Sequence, residues 1–203
     1  GPSEAKRLLA AADDLLDNPR APLRGPTYSM IFALLYGLGL RVGEVSRLCG
    51  KDVDLKRCLL VIRETKFAKS RLVPFGPHMA KKLETYLCLR GEIEPDSPVF
   101  SFTRQKPVHP CTISQTFHHM LPALNLDIPP GIHPPRLHDL RHAFATGTLL
   151  RWYRTGVDPA SRLIHLSTFL GHVSPSSTAV YLSITRDLLD QANERFERLG
   201  ARE

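Results

Sequence analysis

Only one segment of this 203-residue sequence, residues 51–74, has the pattern of β-structure, and this limits the folds that the chain can adopt. Residues 58–63 are rich in branched apolar side chains and predict a strand, and residues 71–74 predict a second short strand. Residues 64–70 then form the hairpin loop between them. A single hairpin in an otherwise helical sequence predicts a mainly α fold with a small antiparallel β-sheet (α+β).

The rest of the chain alternates helical patterns with proline-rich connectors. We predict helices over residues 4–16, 28–36, 41–50, 78–89, 112–124, 137–152, 160–170, 176–183 and 187–199. The length suits one domain with its own core. We therefore divide the chain into a leading helix and linker (1–25), a main domain (26–186) and a tail helix (187–203).

The two ends of the sequence carry their own signals. Residues 1–3, Gly-Pro-Ser, look like the scar that a protease leaves when it removes a tag, so we expect the natural protein to continue upstream. In the tail helix, Leu188, Ala192, Phe196 and Leu199 fall on one face. Such a stripe suits docking onto a protein surface, either of the same chain or of a neighbouring protomer.

The composition favours a polyanionic partner inside the cell. Lysine and arginine number 27 against 20 acidic residues. Neutralising phosphates releases counterions and drives binding, although a merely soluble basic protein would show the same surplus. The cysteines at 49, 58, 88 and 111 lack metal-ligand or paired spacing. With no secretory segment and no run of about 18 apolar residues, we expect reduced thiols, an intracellular protein and no membrane partner.

Five side chains along the sequence together predict a site for attack on a phosphodiester: Arg41, His138, Arg141, His172 and Tyr181. A phosphodiester under attack gathers negative charge on its non-bridging oxygens, and a guanidinium group donates to two oxygens at once without losing its proton. A phenol has an ordinary pKa of about 10, so a nucleophilic tyrosine needs a base or a cationic pocket. Taken singly, each residue has an ordinary surface or core explanation. Their combination favours a functional site.

The local patterns around these residues agree with such a site. Arg41 opens a helix straight after a Gly-Leu-Gly run. His138 and Arg141 are three residues apart, so we expect both on one face of a helix, where they reach a single phosphate. His172 follows a Leu-Gly pair that is typical of a helix end. Taken alone, a His-x-x-Arg pair would be interpreted as part of a solvent-exposed helix face. A histidine at the C-terminal end of a helix would be interpreted as a stabilising interaction with the helix dipole.

The order and spacing of these motifs resemble the tyrosine recombinases, the phage-integrase family of site-specific DNA recombinases. The resemblance runs from about Thr27 to Ala192 and rests on Gly39-Leu40-Arg41-Val42-Gly43-Glu44, His138-Asp139-Leu140-Arg141-His142, Leu170-Gly171-His172 and, nine residues later, Tyr181. It implies the fold of that family's C-terminal catalytic domain. Residues 151–159 and 166–170 look most like the recombinases of transposons and plasmids.

The resemblance also implies how the phosphate is held. Arg41 and Arg141 would clamp it, Glu44 would help to hold Arg41, and His172 would donate a hydrogen bond to the phosphate. Two further residues are expected to support the site: Asp139 and His142.

It implies the covalent step as well. Tyr181 would form a 3′-phosphotyrosyl bond and release a 5′-hydroxyl, while His138 assists removal of the phenolic proton. The departing oxygen needs a proton, and the family places a lysine donor in the hairpin loop. Lys66 fits the register counted back from the Arg-Leu-Val-Pro strand, with Lys69 as the alternative. Lys69 and Arg71 are otherwise expected to contact the DNA backbone.

These expectations describe an enzyme that cleaves and rejoins double-stranded DNA at a specific recombination site, as a tetramer assembled on that DNA. We expect no metal, because no acidic cluster or His/Cys spacing indicates one, and no nucleotide cofactor, because the covalent intermediate keeps the bond energy. We expect a bacterial cytoplasmic protein that joins the nucleoid when bound. Family members usually carry an N-terminal clamp domain, which the first 25 residues are too few to replace, so weak DNA binding and poor site choice are expected.

Several alternatives stay open at this point. A type IB topoisomerase or a telomere resolvase uses the same tyrosine chemistry, and relaxation of supercoils or formation of hairpin ends would reveal either one. A DNA-binding module of this fold without catalysis is a further alternative. A basic interaction domain without DNA chemistry is the last, and its binding would depend little on salt.

Overall fold

The computed structural model of the protein describes residues 1–63, 70–103 and 106–172, and divides the chain into two compact units, Gly1–Arg141 and His142–Glu203. Helices dominate the described residues, and their strands form one small antiparallel sheet, which confirms the predicted α+β fold. Within these residues, none of the helices has the length and apolar character needed to cross a membrane.

The first unit begins with two helices that pack on each other. Helix α1, Pro2–Asp13, buries one stripe of small and apolar side chains. Helix α2, Arg24–Gly37, is apolar on all sides and forms the centre of the core. It starts earlier than the sequence pattern predicts, because Pro26 is tolerated in the first turn, where a backbone N–H has no helical partner. Its fully buried side chains include Ile31, Phe32 and Leu34.

A short helix and the sheet follow. Helix α3, Val42–Ser46, leads through a 3₁₀ turn to strand β1, Val53–Asp54. Strands β2, Leu59–Ile62, and β3, Arg71–Pro74, then complete a sheet of order β1-β2-β3, so the predicted hairpin is confirmed. Strand β1 was not predicted from the sequence, because a two-residue strand is recognisable only by its pairing with β2.

Two longer helices close the first unit. Helix α4, Pro77–Arg90, packs on α2. Helix α5, Pro110–Met120, continues into a 3₁₀ turn, Leu121–Leu124. The rings of Phe32 and Phe117 meet edge to face at 5.8 Å and join α2 to α5.

Helices α6 and α7 account for most of the described second unit. Helix α6, Asp139–Arg154, contains the boundary between the units, and α7 spans Pro159–Leu170. The side chain of Asp158 caps α7 by accepting hydrogen bonds from two backbone N–H groups of its first turn, at 3.1 and 3.2 Å. Among the described residues of this unit, the core is formed by four buried residues: Ala145, Leu149, Leu166 and Leu170.

Candidate active site

Arg41 lies at the N-terminal end of α3, after a backbone turn that uses Gly39. Gly39 has φ +60°, a left-handed conformation that favours glycine. Glu44, in the first turn of α3, accepts hydrogen bonds from the backbone N and from Nη1 of Arg41, both at 2.9 Å. One carboxylate therefore caps the helix and holds the guanidinium group beside its start.

The same carboxylate binds a second arginine, from the sheet. Arg71, the first residue of β3, donates Nη1 to Oε1 of Glu44 at 2.8 Å and Nη2 to Oε2 at 2.9 Å. The two side chains are only 10% and 2% exposed. The sequence predicts a DNA contact for Arg71, whereas in the structure its guanidinium group forms this two-bonded pair. The alternation of side chains along a strand places Arg71 on the same face as the buried Val73.

The electrostatics of Glu44 follow from these contacts. Burial by itself raises its pKa, but the hydrogen bonds from Arg71 and from the backbone of Arg41, with the two positive charges, lower that pKa to about 2. Glu44 is therefore a carboxylate at any neutral pH. A permanent anion between two guanidinium groups keeps both in fixed positions.

Arg141 is tied to the same backbone turn from a distant part of the sequence. It lies in the first turn of α6 and is 1% exposed. Its Nη1 donates a hydrogen bond to the carbonyl oxygen of Gly39, two residues before Arg41. A guanidinium group has five N–H donors, and this bond uses one of them. The structure thus gathers both predicted phosphate-clamping arginines around the turn that precedes α3.

His138 lies in the turn before α6, not on the helix as the sequence predicts, because the helix begins at Asp139. The backbone N of Arg141 donates to the carbonyl oxygen of His138 at 3.0 Å, which is the tighter i→i+3 pattern. The Asp139 carboxylate accepts from the backbone N of Arg136 at 2.7 Å and so caps this tight turn. Side chains three apart remain on one side in such a turn, and His138 is exposed.

His142 and His172 belong to the second unit, and both are half-buried. Helix α7 ends at Gly171, which has φ +68°, so the predicted glycine stop is confirmed. The backbone N of His172 donates to the carbonyl oxygen of Ser167 at 3.0 Å, and that of Gly171 to Thr168 at 3.0 Å. This pair of bonds fixes the backbone of His172 against the end of α7.

The remaining predicted site residues fall outside the described residues: Lys66, Lys69, Tyr181 and the tail helix over 187–203. In the part of the chain that is described, no three metal-binding side chains form a group. What the structure assembles is a set of fixed guanidinium groups, Arg41, Arg71 and Arg141, arranged on Glu44 and Gly39. Fixed guanidinium groups suit a phosphate, whose charge grows during displacement.

Two contacts of this site were not predicted from the sequence: the pairing of Glu44 with Arg71 and the hydrogen bond from Arg141 to Gly39. The strand alternation that puts Arg71 beside a buried valine was the available signal for the first. For the second there was none, because a contact across 102 residues leaves no local pattern.

Comparisons with known proteins identify the family and the fold of the chain. The sequence model of the phage integrase family matches residues 2–187. The integrase/recombinase y4rB of Sinorhizobium fredii is 41% identical over 204 residues, which cover 96% of this chain and 64% of that protein. The crystal structure of XerA recombinase is similar with a TM-score of 0.74 at 27% identity, over 97% of this chain and 62% of that one. XerH recombinase, solved bound to difH substrate, has a similar fold (TM-score 0.67, 20% identity, 94% of this chain and 51% of that one).

Proposed function

The chain belongs to the phage integrase family, whose members are tyrosine recombinases, and from this membership we propose that it is the catalytic domain of a site-specific DNA recombinase. The observation that carries the proposal is the cluster of Arg41, Arg71 and Arg141 built around Glu44 and Gly39. A chain that spans 64% of the length of y4rB leaves room for further parts in the whole protein. The residues proposed for the reaction all lie within this chain.

The arginines act on the phosphate. Arg41 is held by Glu44 while 32% of its side chain stays exposed, so it can meet a substrate oxygen. Arg141 fixes the turn before α3 and stays charged, since a guanidinium group keeps its proton in proteins. Their positions exist before substrate binds, so little reorganisation is required as charge develops on the non-bridging oxygens. His172 donates a further hydrogen bond to the phosphate.

The covalent step uses the tyrosine. The phenolic oxygen of Tyr181 attacks the scissile phosphorus, its proton leaves with the help of His138, and the bond from phosphorus to the 5′-oxygen breaks. Lys66, or Lys69 in its place, protonates that oxygen. The DNA is left with a 3′-phosphotyrosyl end and a 5′-hydroxyl. Attack by a 5′-hydroxyl of the partner strand reverses these transfers and rejoins the DNA without an outside energy source.

The proposed substrate is double-stranded DNA at a specific recombination site, and four protomers assemble on it. The net charge of +7 supports a polyanionic partner, and XerH, a site-specific recombinase of similar fold, was solved bound to its difH substrate. Asp139 and His142 support the site, Lys69 contacts the DNA backbone, and the tail helix docks onto a protein surface, either of the same chain or of a neighbouring protomer. We place the protein in a bacterial cytoplasm, on the nucleoid when bound, since y4rB comes from a bacterium.

The test is a covalent trap with the full-length protein. A duplex from the ends of the protein's own genetic element is nicked just beyond the cleavage position, so that the short 5′-hydroxyl product diffuses away. Cleavage then leaves an adduct that survives denaturing electrophoresis, and Tyr181→Phe abolishes it. DNA binding without an adduct in the full-length protein would reduce the proposal to a DNA-binding module. Relaxation of supercoiled DNA without strand exchange would point to a topoisomerase instead.

A further inference from the structure

We propose that Arg71 is a positioning residue for cleavage: it orients the carboxylate of Glu44 and, through it, the guanidinium group of Arg41 on the scissile phosphate. This inference rests on the proposed function and deepens it. It assigns a role to a strand residue that does not itself touch substrate.

The carboxylate of Glu44 is saturated. A carboxylate offers about four lone-pair sites. Arg71 uses one on each oxygen, and Arg41 uses one on each oxygen as well, through its backbone N and its Nη1. Loss of Arg71 would release half of these bonds, so the carboxylate could rotate. Because Nη1 of Arg41 is bound to that carboxylate, its direction would become less defined.

Arg41 and Arg71 differ in burial, and this difference indicates different roles. The side chain of Arg41 is 32% exposed and that of Arg71 is 10% exposed, although both bind the same carboxylate. Arg41 is therefore the member of the pair that a phosphate can approach. Arg71 lies on the buried side of the carboxylate, where its two parallel hydrogen bonds fix the orientation of that group.

The hairpin contains a matched control. Arg63, directly after β2, also binds a buried carboxylate, that of Asp52. Asp52 in turn accepts from the backbone N of Cys49, which is not a predicted site residue. Arg63 and Arg71 thus flank the same loop and anchor the same hairpin through a buried acid. Only the Arg71 pair includes a phosphate-clamping residue.

The experiment compares Arg71→Lys and Arg71→Met with Arg63→Lys and Arg63→Met in the full-length protein. Rates of covalent adduct formation are measured at saturating DNA, together with the Kd for DNA and the thermal unfolding midpoint. Each rate is measured with an ordinary phosphodiester and with a methylphosphonate at the cleavage position. The methylphosphonate replaces one non-bridging oxygen by a methyl group and so removes the negative charge. A variant that stabilises this charge poorly should therefore lose less of its rate on the methylphosphonate than on the phosphodiester.

We expect Arg71→Lys to lower the rate at saturating DNA by roughly 10–100-fold, because lysine keeps the charge but lacks the fork that fixes the carboxylate. We expect the Kd to be nearly unchanged and the rate loss to shrink several-fold or more on the methylphosphonate, in line with the charge removed. The Arg63 variants should stay within about threefold of wild type on both substrates, since the Arg63 side chain is half exposed and its partner Asp52 contacts no predicted site residue. Arg71→Lys provides the test if Arg71→Met does not fold.

Three results would overturn the inference. Equal losses in the Arg63 and Arg71 variants would mean that only hairpin stability matters. Equal rate losses of the Arg71 variants on the two substrates would mean that Arg71 does not act through the arginines that bind the phosphate. Weaker DNA binding with an unchanged rate would mean that Arg71 contacts the DNA. If wild type forms no Tyr181-dependent adduct at all, the proposed function fails, and this result is distinct from the other three.

Discussion

Replacing Glu44 by glutamine removes the charge at the centre of the arginine cluster while keeping the size and shape of the side chain. In the wild-type protein the pKa of Glu44 falls from its usual 4.5 to about 2, mainly because hydrogen bonds and charges of Arg71 and Arg41 outweigh the effect of burial. One pKa unit corresponds to about 1.4 kcal/mol, so the charged carboxylate contributes about 3 kcal/mol to folding. Glu44→Gln should lose an amount of this order near pH 7.

The direction in which this loss of stability changes with pH follows from the lowered pKa of Glu44. Below about pH 4.5 the unfolded chain takes up a proton at this position, while folded Glu44 keeps its charge down to about pH 2. The contribution is therefore complete above about pH 5.5 and is lost as the pH falls through this window. The difference in unfolding free energy between wild type and Glu44→Gln should shrink by about 3 kcal/mol between about pH 6 and pH 2.

Urea unfolding followed by circular dichroism at a series of pH values measures this difference. Other carboxylates, such as Glu4 with its lowered pKa beside the N-terminal amino group, titrate in both proteins and cancel in the difference. A difference that stays constant with pH would refute the reasoning, since it would mean that the loss comes from packing and not from the charge of Glu44. The glutamine variant itself should show no titration at this position.

Three further outcomes follow from the structure. Leu149→Ala removes a fully buried side chain from the core of the second unit and should cost about 2–5 kcal/mol of stability, measured by thermal or urea unfolding. Gly39→Ala places a Cβ at φ +60° and should cost about 1–2 kcal/mol; because this turn holds Arg141 and precedes Arg41, adduct formation should fall as well. DNA binding should weaken steeply with salt, and a flat plot of log Kd against log salt would contradict a phosphate-binding surface.

Much of the fold could be predicted because its signals are local. The hairpin of β2 and β3 follows from branched residues on either side of a polar loop, and the end of α7 follows from Gly171. The predicted helix ends were less accurate where capping interactions determine the first or last helical residue. Helix α1 ends at Asp13, earlier than the apolar pattern indicates, and α6 begins one residue after His138.

The sequence supplied the candidate residues of the site, whereas their mutual contacts came only from the structure. The motif resemblance identified Arg41, Glu44 and Arg141 as candidates, and guanidinium groups are the residue type that suits a phosphate. Spacing does not reveal that Glu44 bonds Arg71 across 27 residues, since such a contact forms only when the chain folds. The division of the chain after Arg141 was equally invisible, because it falls inside α6 and no change in composition marks it.

The most direct test of the central claim is mass spectrometry of the trapped protein–DNA adduct. The full-length protein is incubated with the nicked duplex, the adduct is digested with protease and nuclease, and the modified peptide is sequenced. The account predicts a 3′-nucleotide on the phenolic oxygen of Tyr181, and none in Tyr181→Phe. An adduct on another residue, or one that persists in Tyr181→Phe, would contradict it.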